Sequence, residues 1–184
     1  MAIDFVKLSK AVSHALRHEP WFYGLELDPE GWAPVDELLA ALADTDPAWC
    51  ELSRADLARM IETSTKARHE LRENRIRARY GHSTPGRIPK SPEAPPEFLY
   101  HGTSPLRIAA IRRDGLQPMT RQYVHLAASH EIALVVGRRK APGPVVIEVL
   151  SARAWQEGVP FYRGNDVTWL ADSVPPGFLK LQAL

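Results

Sequence analysis

Five prolines fall between Ser83 and Glu97 (Pro85, Pro89, Pro92, Pro95 and Pro96), and no other stretch constrains the fold of this chain as strongly. Each proline fixes its own φ, restricts the residue before it and lacks the N–H that a helix or a strand ladder needs. The segment therefore reads as a stiff, extended connector. A chain of 184 residues, 45% apolar and 24% charged, is long enough for one good core or two small ones. The expected division is a lobe over 1–84, a linker over 85–97 and a second lobe over 98–184.

Ahead of the connector the hydrophobic period is helical. Asp4 is placed to cap a helix with apolar positions Phe5, Leu8, Val12, Ala15 and Leu16, and Pro20 stops it just after Arg17 and His18. Those two residues stand at a helix C-terminus, where the helix dipole favours cations, so capping accounts for them as well as function does. His14 and His18 have the i, i+4 spacing of a metal pair. No glutamate follows His14 and no third ligand pattern appears, so the spacing does not predict zinc. Val35, Leu38, Leu39 and Leu42 predict a second helix. Leu57, Met60 and Ile61 predict a third, opened by a capping arrangement of Ser53 with Asp56. The period then becomes two: Arg68, Glu70 and Arg72 alternate with His69 and Leu71, Glu73-Asn74 can turn, and Arg75, Arg77 and Arg79 alternate with Ile76, Ala78 and Tyr80. Three helices and a basic β-hairpin outline a winged helix, a fold used for nucleic-acid binding and for protein contacts alike.

Beyond the connector, Leu99-Tyr100-His101-Gly102-Thr103 is a strand running into a His-Gly-Thr turn. Glycine there can let the backbone approach a ligand, while the imidazole and hydroxyl can bond sugar hydroxyls or a carboxamide. An ordinary turn with a surface histidine has the same sequence. Ser104-Pro105 starts a helix with Leu106, Ile108 and Ile111 as its buried face and Asp114-Gly115 as its stop. A strand around Tyr123–Leu126, a helix opened by Ser129, a strand over Val145–Leu150 and short strands near 167–170 and 178–181 complete a mostly β lobe. No repeat and no Rossmann or P-loop glycine pattern is present.

No apolar run approaches the roughly 20 residues needed to cross a bilayer, and Met1-Ala2-Ile3-Asp4 has no basic start before an apolar core. A soluble, cytoplasmic chain that does not meet membranes is expected. Cys50 is the sole cysteine, which rules out an intrachain disulfide and leaves packing as its expected role. The net charge of +1 conceals two basic segments. Residues 66–90 carry eight lysines and arginines against Glu70 and Glu73, and residues 107–140 carry seven against Asp114 and Glu131. Such patches on a nearly neutral chain suit a polyanion held at a defined place, or simply two solvated arginine-rich faces.

Taken in order, the local signals resemble the RNA 2′-phosphotransferase (KptA) family. They are Leu8-Ser9-Lys10 with Leu16-Arg17-His18, Gly31-Trp32 with Leu38-Leu39, Lys66-Ala67-Arg68, and Ile76-Arg77-Ala78 with Gly81-His82-Ser83. Tyr100-His101-Gly102-Thr103, Gly115-Leu116, Met119-Thr120-Arg121, Val124-His125-Leu126 and Val174-Pro175-Pro176 follow. Each is weak alone; so many in one order are specific. The resemblance implies an α+β chain with an N-terminal winged-helix lobe that holds RNA and a C-terminal lobe of ADP-ribosyltransferase type that holds NAD as co-substrate, with no metal. It implies NAD-dependent removal of an internal 2′-phosphate from RNA, tRNA being one such RNA; separately, a monomer is expected.

The resemblance further implies catalytic roles for Arg17, His18, Arg68 and Arg121. Planar guanidinium forks hold phosphate oxygens bidentately, and a histidine can donate to the phosphate or move a proton. His101, Gly102, Thr103, His125 and Asn165 are implied as NAD contacts, and Lys10 and Lys66 as RNA-phosphate contacts. Four positions depart from the family pattern: Ala127 where serine is usual, Tyr80 for glutamine, His69 for phenylalanine, and one extra residue in Asn165-Asp166-Val167-Thr168-Trp169-Leu170. Two other readings remain open at the level of sequence. One is an ADP-ribosyltransferase acting on nucleic-acid terminal phosphates, the other a non-catalytic winged-helix nucleic-acid-binding protein.

Overall fold

The computed structural model describes residues 3–181, and the chain divides into two compact units, Met1–Pro89 and Lys90–Leu184. The break falls within the proline-rich stretch, which has neither helix nor strand between Arg79 and Phe98. Its backbone is nevertheless tied down. In the first unit Ile88 is buried against Gly31. In the second, the Glu93 N–H donates to the Phe161 carbonyl at 2.9 Å and the Ser151 hydroxyl to the Pro96 carbonyl at 2.7 Å.

The first unit begins with α1 (Phe5–Arg17), whose first turn is capped by the Asp4 carboxylate accepting from the N–H groups of Val6 and Lys7. A short strand, β1 (Trp32–Pro34), leads into α2 (Val35–Thr45), and α3 (Arg54–Glu62) follows with both halves of the Ser53–Asp56 capping box formed. Strands β2 (His69–Arg72) and β3 (Arg75–Ala78) make the expected hairpin, with Glu73 at φ 52 in its turn. The antiparallel sheet has the order β1-β3-β2. Three residues are too few to display a period, so β1 leaves no signal of its own. Leu8, Val12, Leu16, Leu38, Leu42, Leu57, Met60 and Ile76 fill the core between helices and sheet. Cys50 is exposed, and its neighbour Trp49 is the residue that packs.

The second unit is a six-stranded antiparallel sheet. In chain order it comprises β4 (Leu99–Thr103), α4 (Ile108–Asp114), β5 (Val124–Ala127), α5 (His130–Arg138), β6 (Val145–Val149), α6 (Ser151–Gln156), β7 (Phe161–Arg163), β8 (Thr168–Ala171) and β9 (Leu179–Lys180). The strand order is β7-β8-β5-β4-β6-β9. Helices claim about as many residues as strands, so the unit is mixed rather than mostly β. The register puts Leu99, Ile147, Val149, Leu126, Trp169 and Phe161 into one continuous core. Leu106, expected inside, is 91% exposed. Pro105–Arg107 is a 3-10 turn ahead of α4, which moves Leu106 out of phase with the buried Ile108 and Ile111. Among the described residues no helix is long and apolar enough to cross a membrane.

Candidate functional site

In the first unit the chain's own stop signal creates the site. α1 ends at Arg17 with His18 as its C-cap, and Pro20 opens a 3-10 turn that turns the chain away. The segment following the hairpin returns to this end. Ser83 donates its N–H to the Arg17 carbonyl at 2.9 Å, and its hydroxyl lies 2.8 Å from Nδ1 of His18. Arg68, just ahead of β2, accepts on its carbonyl both the Arg79 N–H, at 2.9 Å, and Nη2 of Arg17, at 3.2 Å. The Arg17 guanidinium lies over the Tyr80 ring, 5.1 Å from its centroid. Gly81 beside it has φ +89, and a Cβ there would come within 3.3 Å of Nη1 of Arg17. The guanidinium is thus held in one orientation by a carbonyl, an aromatic face and a position without a side chain.

Arg68, 51 residues beyond Arg17 in sequence, is thereby brought to the Arg17–His18 end of α1. The charges of Arg17 and Arg68 also reach His69, which is 5% exposed and hydrogen-bonds the Ser13 hydroxyl at 3.0 Å. Burial first, then the Arg17 and Arg68 charges, push its pKa down to about 3. Lys66 is half-buried in the same loop, where Ser64 bonds its N–H and carbonyl. Lys10 is exposed on α1, two helical turns before His18.

In the second unit β4 and β5 carry the candidate groups. Nδ1 of His101 lies 2.9 Å from the His125 carbonyl. A carbonyl only accepts, so Nδ1 holds the proton, and the neutral ring offers Nε2 as an acceptor. Burial first, and then the Lys140 charge, lower the His101 pKa to about 4, outweighing the bond to His125. Nδ1 of His125 donates in the same way to the Tyr123 carbonyl at 3.1 Å. Thr103 is 3% exposed on the same strand. Asn165 is buried in the β7–β8 turn, its side-chain oxygen accepting the Val167 N–H at 3.0 Å, and this turn lies where Ala127 ends β5 opposite Thr168.

Gly102 is occupied differently from the expectation of a close ligand approach. A Cβ there would lie 1.9 Å from the Ala133 carbonyl oxygen, so the backbone that approaches is that of α5. Arg121 is exposed in a turn, with its N–H on the Pro118 carbonyl at 3.1 Å and Met119 at φ 59. The exposed Lys140 senses both Arg121 and Arg107. Loss of solvation around its ammonium, then those two charges, hold its pKa below the usual lysine range. Arg107, Arg121 and Lys140 thus form a cationic group near His101, of which Arg107 and Lys140 appeared in the sequence only as parts of a basic segment. Tyr80 was likewise legible only as a departure from a pattern. Its use as the face beneath Arg17 depends on the chain's return after the hairpin. Among the described residues no three His, Cys, Asp or Glu side chains group as a metal site.

Residues 4–173 match the model of the RNA 2′-phosphotransferase, Tpt1 / KptA family. The chain belongs to that family. It is 50% identical over 180 residues, covering 98% of both chains, to a protein of Acetivibrio thermocellus named "Probable RNA 2′-phosphotransferase". It is 51% identical over 177 residues to one of the same name from Bacillus thuringiensis subsp. konkukian, covering 96% of this chain and 95% of that one. A Burkholderia lata protein of that name is 43% identical over 182 residues. The family resemblance therefore spans both units, and the cationic end of α1 and the β4–β5 histidines fall inside the matched residues.

Proposed function

We propose that this protein removes an internal 2′-phosphate from RNA in an NAD-dependent reaction. The observation that carries the reading is the family match over nearly the whole chain, with Arg17, His18 and Arg68 gathered at one helix end. The first unit acts as a winged-helix RNA lobe, in keeping with its three helices, hairpin and short third strand. The second acts as the NAD lobe, of ADP-ribosyltransferase type.

The residues of the second unit suit a dinucleotide. A neutral His101 presents an acceptor for a ribose hydroxyl, Thr103 supplies a buried hydroxyl, and Arg107, Arg121 and Lys140 offer positive charge for a diphosphate. When bound, NAD supplies the electrophilic ribose carbon: a 2′-phosphate oxygen bonds to it as the bond to nicotinamide breaks, nicotinamide keeping the electron pair. Its ribose 2″-hydroxyl then bonds to phosphorus and gives up its proton as the bond to the RNA 2′-oxygen breaks. The RNA oxygen takes a proton, and ADP-ribose 1″,2″-cyclic phosphate is released. Arg17 and Arg68 hold the phosphate oxygens and stabilise charge spreading over them, and Arg121 of the second unit is a further catalytic guanidinium. His18, held by Ser83, donates to the phosphate or returns the proton to the leaving oxygen. Lys10 and Lys66 add backbone-phosphate contacts, and His125 and Asn165 border the NAD site.

The test is incubation with NAD and a 2′-phosphorylated oligoribonucleotide. Free nicotinamide, dephosphorylated RNA and the cyclic phosphate are expected together. Arg68→Ala and Arg121→Ala should each lower turnover at least about a hundredfold, the scale of losing one positioned charge-stabilising donor. ADP-ribosylated RNA that persists with no cyclic phosphate would instead fit a terminal-phosphate ADP-ribosyltransferase, and RNA binding without nicotinamide release a binding protein.

A further inference from the structure

We propose that Phe22, Tyr23 and His14 form a stacking platform for the base next to the 2′-phosphate of a single-stranded RNA segment. The inference rests on the reading of the first unit as the RNA-holding lobe. The 3-10 turn Pro20–Tyr23, separated from His18 by Glu19 alone, displays two large aromatics to solvent, Trp21 at 60% and Phe22 at 64% exposure. Phe22 begins an unbroken run of rings. It meets Tyr23 edge-on with centroids 5.2 Å apart, Tyr23 meets His14 at 5.8 Å, and His14 meets His18 at 6.2 Å. The run therefore connects an exposed aromatic face with a residue assigned to the phosphate.

The rings are held in place. Nδ1 of His14 lies 3.2 Å from the Tyr23 hydroxyl, the Phe22 N–H donates to the Glu19 carbonyl, and the Gly24 N–H to that of Trp21. An exposed apolar patch can equally mark a protein contact, but here the charge favours a nucleic acid. Lys10, His14 and His18 follow one another at i, i+4 spacing along α1, and Arg17 and Arg68 flank its end. Glu19 approaches the far nitrogen of His14, with Nε2 and the carboxylate 3.7 Å apart. A phosphate is disfavoured there, so His18 takes the phosphate and the rings take the uncharged base face. Single-stranded RNA is bound in this way, with bases stacked on aromatic side chains beside a cationic track for the backbone.

The test is made at saturating NAD with a pentaribonucleotide carrying one internal 2′-phosphate. Phe22→Ala should raise KM about tenfold and leave kcat within about twofold. Phe22→Trp, which keeps a stacking face, should restore KM. With an oligonucleotide that is abasic beside the 2′-phosphate, wild type and Phe22→Ala should share the same raised KM. An active Phe22→Ala protein with wild-type KM on the intact oligonucleotide overturns the proposal. So does a change of oligomeric state at unchanged KM, which makes the patch a contact between proteins. If the wild type does not turn over 2′-phosphates at all, the functional reading fails and takes this one with it; the first two outcomes leave that reading standing.

Discussion

Burial first, and then the charges of Arg17 and Arg68, keep the His69 imidazole neutral near pH 7. It therefore adds no charge to a phosphate site, and the cations there are the arginines. Its proton balance gives a measurable signature. In the unfolded chain a histidine titrates near 6.5, whereas folded His69 titrates at about 3 and folded His101 at about 4. As pH falls below about 6.5 the unfolded state takes up protons that the folded state refuses. The stability tied to these rings is thus complete above about pH 6.5 and is lost as pH falls toward their folded values. His69→Phe removes one such ring, so its melting temperature should fall less between pH 7 and 5 than that of the wild type. Equal falls measured by calorimetry would show that the buried imidazole is not held neutral.

α5 meets β4 so closely that a methyl group decides the packing. A Cβ on Gly102 would lie 1.9 Å from the Ala133 carbonyl oxygen, and one on Gly137 would lie 2.7 Å from Pro144 and 3.3 Å from Gly102. Neither neighbour at Gly102 is a flexible side-chain end. Gly102→Ala should therefore cost about 3 kcal/mol or more in urea unfolding, the upper range for overpacking a close contact. The elements that could be read from sequence are those with strong local signals: α1 with its Asp4 cap, α3 with its capping box, the β2–β3 hairpin, and β6 with its run of β-branched residues. The remainder depends on partners distant in the chain. β1 and β7 are three residues long and exist through pairing with β3 and β8. Gly102 has a strand-end sequence that suits a ligand or a helix equally, and only the placement of Ala133 distinguishes them. At the candidate site the residue types were legible through the family pattern. That pattern also implied a shared role for Arg17 and Arg68, but not the contacts that hold them, which depend on Tyr80, Gly81 and Ser83 returning to the end of α1.

Each unit closes a core from its own residues. The buried cluster of the first runs from Leu8 to Ala78 and that of the second from Leu99 to Phe178, with no member in common. Both chain stretches are longer than the roughly 55–65 residues at which many single-core domains fold alone, and the first has three helices packed on a sheet with well-formed caps. A fragment of residues 1–89 should therefore fold by itself, giving a cooperative thermal transition by circular dichroism; a gradual, non-cooperative loss of signal would show that the core is insufficient. The fragment also separates the roles assigned to the units. It retains Arg17, His18 and Arg68 and lacks His101, Thr103 and Arg121. Folded, it should bind a 2′-phosphorylated oligonucleotide more tightly than the same sequence without the phosphate, with affinity falling as salt rises. It should release no nicotinamide from NAD. Equal affinity for the two oligonucleotides would mean that the end of α1 does not hold the 2′-phosphate, and nicotinamide release by the fragment would mean that NAD is not the second unit's ligand.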